Sequence, residues 1–88
     1  MDEQRILDEL LALLEGQGVV IRNEPLGGTG GGLCTVRGSS IFFVDTEANS
    51  AETAARCAEA VGKLLDPEMV YIRPEVRRFI ENHTGSMS

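Results

Sequence analysis

The sequence predicts a small α+β domain: a three-stranded antiparallel sheet with helices packed on it and room for a short fourth strand, in the order α-β-β-β-α-(β)-α. Three observations predict it. Leucines recur at helical spacing near the start of the chain. Three runs rich in β-branched and aromatic residues follow, separated by glycine-containing breaks. An alanine-rich amphipathic stretch and a proline-led one then close the chain. A length of 88 residues suits one domain with a modest core, taken here as 1–85, with Ser86, Met87 and Ser88 as a loose tail.

The first element is a helix over 2–15. Ile6, Leu7, Leu10, Leu11, Leu13 and Leu14 make a wide apolar face. Acids in the first turn suit the positive end of the helix dipole, and Gly16 is read as the left-handed stop. Residues 19–24 form a strand that ends at Pro25. After the glycine-rich run Gly27-Gly28-Thr29-Gly30-Gly31-Gly32, residues 33–37 and 41–45 form a hairpin turning at Gly38-Ser39. That turn separates two faces. Cys34, Val36, Ile41 and Phe43 share the wholly apolar one, which is expected to meet the helices. Leu33, Thr35, Arg37, Ser40, Phe42 and Val44 share the mixed one.

Ser50 is read as the N-cap of a helix over 51–65, with Ala54, Cys57, Ala58, Val61 and Leu65 along one side. Residues 69–72 are a short extended piece and the candidate fourth strand. Pro74 fits the first position of a last helix with Val76, Phe79 and Ile80 inward, ending near Gly85.

Composition narrows the function. The net charge is −6, with −4 of it in the first fifteen residues, and the chain holds a single lysine. Phosphate backbones are held by clustered Lys and Arg, so a nucleic acid is excluded as main partner, and an anionic membrane surface with it. No run approaches the ~20 apolar residues of a membrane span. The broken apolar run at 6–14 is unlike a signal peptide. Two cysteines without an export signal point to free thiols in a reducing cytoplasm.

The glycine-rich run is the most unusual feature. A nest of backbone N–H groups around a small anion or phosphate is its functional reading, with Gly28, Gly30, Gly31 and Gly32 as the loop and Arg37 or Arg77 as the cation. Known phosphate motifs do not fit: no Lys-Ser or Lys-Thr ends the run, and a strand follows where a P-loop has a helix. A flexible connection is the simpler account. Cys34 lacks a nearby base and is expected to be a buried, inert thiol, as is Cys57 on its helix. Cys34, Cys57 and the only histidine, His83, lack zinc-site spacing, so neither metal nor cofactor is expected. His83 is better placed to meet a helix C-terminus. Arg73, Arg77 and Arg78 form the densest positive group, read mainly as a solvated face paired to the acidic first helix.

The segments Leu26-Gly27-Gly28-Thr29-Gly30-Gly31-Gly32-Leu33-Cys34 and Tyr71-Ile72-Arg73-Pro74-Glu75-Val76-Arg77 resemble a family of small uncharacterised bacterial proteins of about this length. The resemblance implies no activity, and points only to those two segments. With no catalytic constellation in view, the function expected is a non-enzymatic interaction or accessory domain, acting through its sheet as a homodimer or with a protein partner. Leu33, Phe42 and Val44 on the mixed face are the candidate interface, with 19–24 or 41–45 as an open edge.

Overall fold

The computed structural model describes residues 2–28, 31–66 and 69–83. Its elements are α1 (Glu3–Gly16), β1 (Val20–Glu24), β2 (Gly32–Val36), β3 (Ser39–Asp45), α2 (Ser50–Leu64) and α3 (Pro74–His83). This is the expected small α+β fold, in the order α-β-β-β-α-α.

The helices begin and end on local chemistry. Asp2 caps α1 by accepting from the Arg5 N–H at 2.8 Å, and Asn49 caps α2 by accepting from the Glu52 N–H at 2.8 Å. The cap is therefore Asn49, and Ser50 is already helical. α1 runs through Gly16, and Gly18, at φ 85°, is the left-handed residue. The Gly18 N–H donates to the Glu15 carbonyl and the Val19 N–H to the Leu14 carbonyl, which closes the end in a Schellman arrangement. Val19 and Leu14 are both buried, so the same closure starts the core.

The sheet order is β1-β3-β2. β2 and β3 pair antiparallel, but β1 pairs with β3 in parallel, so the sheet is mixed. The last strand in the sequence, β3, takes the middle place because its Ile41-Phe42-Phe43-Val44 run is apolar on both sides. Arg22, Asn23 and Thr35 suit the edges. Residues 41–45 are thus not an edge; β1 and β2 are. Residues 69–72 belong to no strand.

The hairpin turns at Arg37-Gly38, one residue earlier than the expected Gly38-Ser39, with φ of 52° and 82° at the two positions. Two consecutive left-handed residues are the signature of a type I′ turn, whose twist matches the strands. Moving the turn by one residue slides the pairing by two, so Cys34 lies opposite Ile41. The side-chain period is also two, and the grouping into faces is unchanged.

Which face is covered is the reverse of the expectation. Ile21, Phe42 and Leu33 align across the strands on the side where α1 and α2 pack. Phe42 is fully buried among Leu10, Leu14, Cys57 and Val61. Leu33 and Val44 pack partly buried against the same core. The proposed interface of Leu33, Phe42 and Val44 is therefore interior surface, because two helices already occupy it. α3 packs on α2 through Val76 and Ile80, with Phe79 at its margin. The last helix closes the helical layer and does not cover the sheet. The expected tail, at 86–88, and the helix end near Gly85 lie outside the described residues.

Candidate functional site

Two surfaces emerge from this packing. The first is the sheet face that no helix covers. Val20, Ile41 and Cys34 form one row across it; Arg22, Phe43 and Gly32 form the next. Val20 and Val36 are each about half exposed, at 51 % and 49 %, Cys34 is exposed, and Ile41 and Phe43 are half-buried. Its pendant charges are Arg22 and Glu24, which pair with one another at 3.1 Å. Asp45 has the same parity but is buried, its Oδ1 accepting from the Leu26 N–H at 3.0 Å and the Glu47 N–H at 2.9 Å. Beside Phe43 the surface dips into a hollow of about 360 Å³ between Leu26, Gly31, Gly32 and Cys34. The hollow exists because the residue opposite Phe43 is a glycine with no side chain to fill the space.

The glycine-rich connection explains itself in part. β1 and β2 flank β3, and β1 runs parallel to it, so the link from Glu24 to Gly32 must pass the C-terminal end of β3. Asp45 fastens the near side of that link through Leu26. On the far side Gly31 sits directly against β3: a Cβ there would lie 2.2 Å from the Phe43 carbonyl oxygen. Only glycine allows two backbones to approach this closely. Gly30, one of the loop residues expected to meet an anion, lies outside the described residues.

The cations expected to serve that loop are elsewhere. Arg37 occupies the hairpin turn, at the opposite end of β2 from Gly32, roughly 16 Å away for a five-residue strand. Arg77 is on α3, in the first turn after Pro74, where its N–H donates to the Arg73 carbonyl. Neither lines the hollow beside Phe43 or the groove along α2, both of which hold Gly31 and Gly32. The second surface instead brings Arg56 and Lys63 of α2 to those glycines, in a groove of about 250 Å³ that also holds Leu33, Glu59 and Ala60. Sequence reasoning passed over both cations because α2 was read only for its buried side. Their spacing of seven, two helical turns, was the signal available.

The thiols and the imidazole are separated. Cys57 is fully buried on α2, and burial pushes its thiol from 9.0 up to about 12. Cys34, expected to be buried, is exposed on the uncovered sheet face, because that face turned outward. His83 stacks on Phe79 with ring centroids 4.3 Å apart, and its Nδ1 lies 2.9 Å from the Phe79 carbonyl oxygen. A carbonyl only accepts, so Nδ1 is the protonated nitrogen. Among the described residues no three His, Cys, Asp or Glu side chains gather as a metal site. Arg73 reaches back to α1, its Nε 3.3 Å from Glu9 Oε2, as expected of the basic group; a pair this exposed adds little stability.

The two cysteines should therefore behave oppositely. In native protein a thiol reagent such as DTNB is expected to label one thiol per chain, Cys34, with Cys57 released only on unfolding. Two fast thiols, or none, would contradict the placement of the faces; Cys34→Ser should abolish the native signal.

No helix among the described residues is long and apolar enough to cross a membrane. No family model, no curated protein and no solved structure matches the chain.

Proposed function

We propose that the chain is a non-catalytic cytosolic interaction domain whose uncovered sheet face binds a second copy of itself. One observation carries the reading: both long helices cover the same side of the sheet, leaving Val20, Val36, Ile41 and Phe43 with nothing over them among the described residues. A contiguous apolar patch rimmed by polar residues is a mark of protein association.

Charge favours a second copy as the occupant. The molecule carries −6, yet the face itself is neutral, because Arg22 and Glu24 compensate each other. The exposed acids of α1 (Asp2, Glu3, Asp8 and Glu15) belong to the helical layer on the other side of the sheet. A neutral apolar face is complementary to itself, and a two-fold contact there keeps the acidic helices apart. A reducing cytosol keeps the exposed Cys34 a thiol at this contact.

Area sets the strength. Three strands ~4.8 Å apart and five paired residues ~3.3 Å apart give a footprint on the order of 250 Å². That is roughly a third of the ~800 Å² per partner in a standard interface, so the dimer is expected to be weak. Sedimentation under reducing conditions should show a monomer at low concentration and reversible dimer on the order of hundreds of micromolar. Val20→Lys with Val36→Glu, both at exposed positions, should leave a folded monomer throughout. A wild type that stays monomeric at millimolar concentration, or a double variant that still dimerises, would overturn the reading.

A further inference from the structure

We infer that the groove between the start of β2 and α2 is a binding site for a diphosphate-type anion, held by Arg56 and Lys63 against the side-chain-free backbone of Gly31 and Gly32. This site shares Gly31 and Gly32 with the hollow on the uncovered face but takes both its charges from α2, and it does not depend on the chain dimerising.

Position is the first support. Arg56, Glu59 and Lys63 recur at spacings of three and four, so they share one face of α2, and that face borders the glycines. The two cations are seven residues apart, ~10 Å along the helix at ~1.5 Å per residue. Two long side chains that line one groove across that gap match an anion with two charged ends better than a single small ion.

Availability is the second. Arg22 is paired with Glu24, and Arg73 with Glu9. Among the described residues Arg56 and Lys63 form no ion pair, although Glu59 lies between them on the same helix. Both side chains are exposed, and the groove beside them contains no β2 side chain before Leu33. A phosphoryl group can thus reach the backbone as well as both charges, and charge-assisted contacts to phosphate oxygens are the strong class of hydrogen bond. Glu59 opposes such a ligand, which gives the site a test with a sign.

The test is a titration of the full chain with inorganic pyrophosphate, followed by amide chemical shifts at constant ionic strength. Inorganic phosphate and ADP serve as comparison arms. Pyrophosphate should shift Gly31, Gly32, Arg56, Glu59 and Lys63 and bind more tightly than phosphate. ADP shifting the same set alone marks the free anion as occupant, whereas additional shifts beyond the groove mark an organic diphosphate. Arg56→Gln with Lys63→Gln should weaken binding about tenfold or more, and Glu59→Gln should tighten it. Arg37→Gln, at the far turn, should bind as wild type. All four positions are exposed, and an unchanged amide pattern elsewhere shows that the fold is intact. No shift in the groove, an equal response from the double variant, or no gain from Glu59→Gln would overturn the site.

Discussion

Replacing Phe42 by alanine is expected to lower the unfolding free energy by about 3–5 kcal/mol, the usual loss for a large aromatic removed from a core. Phe42 is the largest of the fully buried side chains, lying at the centre of the middle strand with Ile21 and Leu33 on either side, α2 above and the α1 leucines in the same core. Removing it empties a volume that these neighbours, fixed in a sheet, cannot close. A domain of this size has only about 5–10 kcal/mol in total, so the variant should unfold at markedly lower urea or temperature. Phe43, the next residue, points to the uncovered face. Phe43→Ala should cost less, about 1–2 kcal/mol, because part of its surface is already in water. Urea unfolding of the two variants compares the faces directly. If Phe43→Ala proved the more damaging, the helices would have to pack on the other side of the sheet.

The second large effect is expected at Gly31. Its φ of 68° lies in the left-handed region, where an L side chain costs about 1–2 kcal/mol. Sterics are worse, since a Cβ would meet the Phe43 carbonyl oxygen at 2.2 Å and its carbon at 3.0 Å. Those atoms belong to the central strand and cannot move without breaking its ladder. Gly31→Ala should thus cost more than about 2 kcal/mol, with the damage concentrated where the connection passes β3. Gly16 is the control. It ends α1 with nothing within 4 Å of an added Cβ, and Gly16→Ala should stabilise by about 0.5–1 kcal/mol. Equal effects at the two glycines would mean that Gly31 does not touch β3. The requirement for glycine at position 31 therefore rests on a close approach of two backbones, not on flexibility alone.

By itself the sequence determined the elements, their order and, for each, which residues share a side. Leu7, Leu10 and Leu14, then Ala54, Cys57, Ala58 and Val61, then Val76 and Ile80 are buried where the helical period placed them. The two groups of strand residues also stayed together when the turn moved by one position. These properties are local: helical and strand periods relate a side chain to its near neighbours, and caps and turns need only a few adjacent residues.

Tertiary structure alone decided the rest. Both sides of β3 are apolar, so no pattern within the strand says whether Phe42 or Phe43 goes under the helices. That choice is made by the route of α1 and α2 over the sheet. Likewise β1 joins β3 in parallel because the glycine-rich link passes the end of β3 to reach the far edge, and nothing in residues 20–24 specifies that neighbour. The candidate sites followed these non-local choices. Leu33, Phe42 and Val44 became core, Cys34 became surface, and the cations beside the glycines proved to be Arg56 and Lys63, more than twenty residues along the chain. Pairing and covering of faces depend on contacts between distant segments, and a sequence period carries no information about its partner.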